Sequence, residues 1–264
     1  MTYAPRPAHS AIATTRPKFS ETWTVRRKTV AAPPTVALRP YSMCWLDAMG
    51  AVKDAAIKAP AIPVFEEAFS AFARGTLIPT EFGTIAIEDL VPGMRVETAS
   101  GGLAPIRWIG SMSIAPDAQM RSDTSSGLYR VMADSFGFGR PAPDLMLGPN
   151  ARYVMKSDAL LGYLGTSEAL APASSLADGM NVIKISPIAA VQTFHIALDR
   201  HDVIRANGIE LETYHPGANC TSRLPGDLRL RFLNLFPYLS ELAAFGAMRH
   251  PRLSIGDLEQ LNAV

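Results

Sequence analysis

Residues 69–98 restrict the possible folds more than any other stretch of the chain. Gly75-Thr76-Leu77-Ile78 is a short apolar segment. Glu81-Phe82-Gly83 follows as a turn, because glycine supplies the positive φ that a tight reversal needs. Thr84-Ile85-Ala86-Ile87 alternates again. Val91-Pro92-Gly93 is a second turn, with proline presetting φ and glycine after it. Met94-Arg95-Val96-Glu97-Thr98 then alternates as a half-buried strand does. The stretch predicts three short strands joined by two turns.

The same punctuation continues to about residue 217. Pro105–Met112, Leu128–Ala133, Asp144–Met155, Asn181–Ile185 and Val191–Leu198 read as strands between Gly, Pro, Ser and Asp clusters. Asp117–Gly127 reads as a polar loop. Gly137-Phe138-Gly139-Arg140-Pro141 reads as another, lacking the Lys-Ser/Thr of a phosphate loop. His201–Glu212 folds back on itself through Asn207-Gly208, a strong two-residue hairpin signal. The prediction is one all-β domain over 71–217.

Ala71-Phe72-Ala73-Arg74-Gly75-Thr76 and Ile87-Glu88-Asp89-Leu90-Val91-Pro92-Gly93-Met94-Arg95-Val96, in that order, resemble the opening of a Hint domain of the bacterial stand-alone branch. Hint domains are the self-processing modules of hedgehog proteins and inteins. Pro105–Gly110 and Phe194–Glu212 are similar to later segments of the same family. The resemblance runs from about Ala71 to Gly217 and implies the horseshoe-like Hint β fold.

It also implies a chemistry. The side chain of the first residue adds to the preceding carbonyl, which needs a thiol or hydroxyl. A histidine in a second motif, Thr-x-x-His or Ser-Pro-x-His, assists departure of the amide nitrogen. Here the first position is Ala71, and the second motif aligns with Gly148-Pro149-Asn150-Ala151. Its hydroxyl position is Gly148 and its histidine position is Ala151. Inteins close on His-Asn, whose Asn cyclises; the matching residues are Glu212 and Thr213, and neither forms a succinimide. Ser70 carries a hydroxyl one residue too early, and Thr76 lies too far along the strand.

His195, His201 and His215 remain as candidates. Three readings are open: hydrogen bonding at the hairpin, residual acid–base chemistry, or a metal site serving a hydrolase. No partner residues stand at zinc-finger spacing, and no cofactor or resident metal is expected. The family activity would be autoproteolysis. With Ala71 and Ala151 at its centre, the expectation is a domain that has lost self-cleavage and works as a binding or scaffolding module. An active autoprocessing protein is the alternative, and a metal-dependent hydrolase built on the histidines is the third.

The flanks differ from the centre. Residues 1–40 are rich in Ala, Pro and Thr, with basic residues such as Arg26-Arg27-Lys28 facing the single acid Glu21. They predict a disordered arm. Such an arm would suit a membrane surface or nucleic acid, although the chain's net charge of +1 gives no overall pull. An unidentified protein is the other partner expected. Over 41–68, Met43, Leu46, Met49 and Val52 predict a helix ending before Pro60, followed by a linker. Over 218–264, Leu228, Phe232, Leu235, Leu239, Leu242 and Phe245 predict one or two helices packed on the β domain, broken near Pro237. Two cysteines, Cys44 and Cys220, do not make a disulfide framework. No run approaches a membrane span and no apolar leader segment is seen, so the expected location is cytoplasmic, or outside without a cleavable signal.

Overall fold

A computed structural model of the protein describes Met1, residues 37–116 and residues 127–262. The basic arm lies outside the described residues except at its end, and so does the polar loop at 117–126. The strands are β1 (Leu38–Leu46), β2 (Val52–Pro60), β3 (Phe72–Ala73), β4 (Leu77–Thr80), β5 (Gly83–Ala86), β6 (Arg95–Glu97), β7 (Leu103–Ile114), β8 (Leu128–Val131), β9 (Leu145–Leu147), β10 (Arg152–Lys156), β11 (Glu168–Pro172), β12 (Val182–Ile185), β13 (Val191–Leu198), β14 (Val203–Ala206) and β15 (Ile209–Glu212). The helices are short: α1 (Pro63–Glu66), α2 (Ala159–Leu164), α3 (Cys220–Arg223), α4 (Gly226–Leu233) and α5 (Ile255–Asn262).

The fold is all-β with a helical C-terminal extension. Among the described residues, an 11-stranded sheet runs β12-β8-β9-β3-β13-β7-β6-β4-β5, with β1 joined to β7 and β2 to β1. A 4-stranded sheet runs β11-β10-β15-β14. The long strand β7 ties the first sheet together. One edge pairs with β13 from Ile106 to Ile114. The other takes β6 at Leu103–Pro105 and β1 at Trp108–Ser111. The predicted turn at Asn207-Gly208 closes the β14–β15 hairpin, with both residues at positive φ.

The helix predicted over 41–58 is not formed. The segment is the β1–β2 hairpin, paired from Leu38↔Pro60 to Leu46↔Val52. Met43, Leu46, Met49 and Val52 do recur at helical spacing, but Tyr41 and Met43 alternate with exposed Ser42, and Met49 is 93% exposed at the turn. The open edge of β7 decides the outcome, because sheet pairing there overrides a marginal helical preference. Gly50 takes φ 80° in the reversal, and the Asp47 carboxylate accepts the N–H groups of Met49 and Ala51. The helical turn of this region is α1, further along at Pro63–Glu66.

Two main cores result. One fills the space between the sheets around Phe72, Ile106, Leu145 and Ile204. The other surrounds Trp108, whose indole N–H donates to the Leu235 carbonyl at 2.7 Å. Both flanks meet in this second core. Tyr41, Phe65 and Phe69 come from the N-terminal side; Phe232, Phe236 and Phe245 come from the C-terminal extension. The Phe65 and Phe232 rings meet edge to face at 5.4 Å. Gly110 is obligatory here, since a Cβ would lie 2.2 Å from the Trp108 ring and 2.6 Å from Phe69. Cys44 and Cys220 are not bridged. Among the described residues no helix is long and apolar enough to cross a membrane.

Candidate functional site

The two-residue strand β3 sits between β9 and β13, with Phe72 opposite Leu147 on one side and Phe194 on the other. Three separate stretches of sequence therefore converge on the peptide that precedes it. The Ala71 N–H donates to the Phe194 carbonyl at 3.0 Å, and the Gly148 N–H donates to the Ala71 carbonyl at 2.8 Å. The Asn150 N–H donates to the Ser70 carbonyl at 3.1 Å. The turn 148–151 thus wraps the Ser70–Ala71 peptide bond.

The approach is tight. A Cβ on Gly148 would lie 2.1 Å from the Ser70 carbonyl oxygen and 3.2 Å from the Ala71 nitrogen. Ala71 and Ala151 are each 1% exposed and belong to the same core. Ser70 is also buried, and its hydroxyl is committed: it donates to the Glu66 carbonyl and accepts from the Asn150 side-chain amide, both at 2.7 Å. Thr76 gives its hydroxyl proton to the Ala73 carbonyl. The peptide carbonyl keeps one aligned backbone donor, the kind of group that stabilises an oxyanion. The side chains of Ala71 and Ala151 beside this peptide are methyl groups.

The three histidines are all buried, and His195 directly follows Phe194, whose carbonyl receives the Ala71 N–H. His195 directs Nδ1–H to the Glu67 carbonyl at 2.9 Å, with Nε2 facing the Glu212 carbonyl at 3.4 Å. Its ring stands edge-on to Phe72 and Tyr214. Burial, opposed by these carbonyls, pushes its pKa down to about 4, so it is neutral near pH 7. His201 accepts the Arg249 N–H at Nδ1, which leaves Nε2–H to donate to Glu212 Oε1 at 3.0 Å. His215 accepts the Gly217 N–H at Nδ1 and donates from Nε2 to the Gly246 carbonyl. Burial lowers it, too, to about 4.

Sequence reasoning missed the centre of this region. Glu212 is 2% exposed, and its carboxylate takes His201, both Nε and Nη2 of Arg252 (2.9 and 2.8 Å), and Arg152 at 3.5 Å. Burial works against its ionisation, but the His201 hydrogen bond and the two guanidinium charges hold its pKa at about 2. Arg252 also donates to the His215 carbonyl at 2.6 Å. Asp202 pairs with Arg249 nearby. The signal in the sequence was a carboxylate ending an apolar hairpin strand, which demands a cationic partner. The partners lie 40 and 60 residues away and could not be named from it. Thr213 exchanges hydrogen bonds with the Asp202 backbone.

Two family segments thus enclose one peptide bond, and the third closes against it through β13. A family model described as a Hint domain matches residues 70–218. The chain belongs to the Hint-domain family. The matched span begins beside the enclosed peptide and leaves out the β1–β2 hairpin and most of the C-terminal extension. Among solved structures the chain is similar to the crystal structure of gp41-1 intein, at 15% identity and TM-score 0.35, over 55% of this chain and 98% of that one. It is also similar to the solution structure of a bacterial intein-like domain from Clostridium thermocellum, at 13% identity and TM-score 0.36, over 55% and 99%. No curated protein matches the chain.

Proposed function

We propose that this Hint domain no longer cleaves itself and serves as a binding or scaffolding module. The observation that carries the reading is the Ser70–Ala71 peptide. It lies at the Hint reaction centre with a methyl group at the nucleophile position, another at the histidine position, and no Cβ at all at the hydroxyl position. Processing by the family route needs a heteroatom on the first residue. The Ser70 hydroxyl is tied to Glu66 and Asn150 rather than aimed at a carbonyl it could attack.

A second feature supports the same reading. The chain just before the peptide is built into the molecule: Phe65, Ala68, Phe69 and Ser70 are fully buried, and β1 is hydrogen-bonded to β7. A segment due for release has no need of such anchoring. The retained Asn150 donor is the one observation that favours the autoprocessing alternative. The hydrolase alternative finds little support, since the ring nitrogens of His201 and His215 are engaged by protein groups and His195 faces two carbonyls.

The test is intact mass spectrometry of the wild-type protein held in dithiothreitol or hydroxylamine at neutral pH. Both nucleophiles release the upstream part of an active Hint protein. The expected result is an unchanged full-length mass. Fragmentation at the Ser70–Ala71 bond overturns the reading.

A further inference from the structure

We propose that the outer edge of β2 pairs with the same edge of a second copy, giving an antiparallel, twofold-symmetric dimer. The direction of the β2 backbone groups follows from the hairpin. The Ala61 N–H donates to the Ala37 carbonyl and the Asp47 N–H to the Ala51 carbonyl, both in the register that sets Leu38 opposite Pro60. Hydrogen-bonded pairs alternate along an antiparallel ladder. Odd-numbered residues of β2 therefore turn their backbone groups to β1. Val52, Asp54, Ala56 and Lys58 turn theirs outward. Among the described residues no strand pairs with that side. The strand is nine residues long, its ladder with β1 has no bulge, and its proline stands at the end.

The charges choose a register. Asp54 and Lys58 are exposed and take part in no ion pair among the described residues. Four residues apart, they are about 13 Å from each other along the strand, too far to pair within one chain. In a symmetric ladder, outward groups must face outward groups. Centring on Asp54 sets Asp against Asp, and centring on Lys58 sets Lys against Lys; like charges directly opposite are destabilising. Centring on Ala55 or Ile57 leaves both charges facing apolar residues. Centring on Ala56 sets Asp54 opposite Lys58 twice, Ala56 opposite Ala56, and Val52 opposite Pro60. It makes roughly six backbone hydrogen bonds, from the Ala56 pair and the two Asp54–Lys58 pairs, since Pro60 has no N–H and its carbonyl already accepts from the Tyr41 hydroxyl and the Ile62 N–H. Lysines on an edge normally discourage pairing. Here Lys58 meets an acid in one register, so the same charge that blocks random association specifies this one.

The experiment is sedimentation equilibrium of the full chain over a dilution series. The wild type is expected to dimerise. Lys58→Glu places like charges opposite each other twice and should weaken the dimer about tenfold or more. Asp54→Lys combined with Lys58→Asp should restore it. Ala56→Pro should abolish the dimer. Because the Ala56 N–H points away from β1, an edge proline is tolerated there, and the thermal midpoint of that variant should stay near that of the wild type. A wild type that remains monomeric throughout overturns the proposal, as does a dimer indifferent to Ala56→Pro and Lys58→Glu. Hydrogen exchange supplies the remaining arm: protection of the Asp54, Ala56 and Lys58 amides that is independent of concentration would assign the edge to residues 2–36 of the same chain, and would also overturn it.

Discussion

At the scale of single residues, Gly148 is the most informative position in the molecule. In the family motif that position carries a hydroxyl side chain. Here the Ser70 carbonyl occupies the place a Cβ would need, at 2.1 Å. The peptide and the turn pack directly on each other, which leaves no room for a side chain at 148. Restoring the chemistry is correspondingly harder. Ala71→Cys with Ala151→His supplies a nucleophile and a proton donor, and we expect slow thiol-dependent cleavage over a day by intact mass. Ala71→Cys alone should give less, because groups that act together are strongly non-additive, and a misplacement of about 1 Å costs roughly 100-fold. Gly148→Ser should not help. It should destabilise the protein by about 1–3 kcal/mol through overpacking, read as a lower denaturant midpoint. Equal cleavage by the single and double variants would show that a histidine at 151 does not reach the peptide, and an unaltered midpoint for Gly148→Ser would show that the turn leaves room for a side chain at 148. The nearness of 148–151 to residue 71 was legible in sequence through the motif resemblance. The close packing was not, because a missing Cβ does not announce what fills its place.

At the scale of elements, legibility followed the range of the forces involved. Strands bounded by their own turn residues were readable: Leu77–Thr80, Gly83–Ala86 and Ile209–Glu212 each carry their boundary signals within a few residues. Strand β11 was missed, because its place is set by β10 rather than by punctuation of its own. The β1–β2 hairpin was misread for a related reason. Its Ala-rich second half suits a helix locally, and what makes it a strand is the edge of β7, more than fifty residues on. Gly50 offers a test in which the two structures predict opposite signs. In a helix interior, Gly→Ala stabilises by about 1 kcal/mol. In the turn, Gly50 holds φ 80° with open space around its missing Cβ, so Gly50→Ala should destabilise by about 1 kcal/mol from backbone strain alone. Equilibrium urea denaturation reads the sign directly, and a stabilised variant would contradict the hairpin.

At the scale of the whole molecule, the C-terminal extension is fastened to the Hint domain by charge as well as by the Trp108 core. Arg249, Arg252 and the Gly246 carbonyl reach from the extension to His201, Glu212 and His215. This arrangement makes the fold sensitive to acid, and the direction can be worked out group by group. His195 and His215 have folded pKa values near 4 against an ordinary 6.5. As pH falls below 6.5 the unfolded chain takes up protons that the folded chain refuses. Their contribution is therefore complete above pH 6.5 and is lost down to about pH 4, on the order of 3 kcal/mol for His195 and less for the better-solvated His215. Glu212 is depressed from 4.5 to about 2. Its contribution is complete above pH 4.5 and is lost as pH falls towards 2, again on the order of 3 kcal/mol. The windows adjoin, so stability should fall continuously from pH 6.5 downward rather than at a single step. His215→Gln isolates one component, because a glutamine amide can accept from Gly217 and donate to Gly246 without titrating. Denaturant midpoints measured across this range should show a shallower slope between pH 6.5 and 4 for that variant, with the part below pH 4 unchanged. A wild-type midpoint that stays flat from pH 6.5 to 4 would mean that the buried histidines take up protons in the folded state, and that the extension is not held in the way its hydrogen bonds describe.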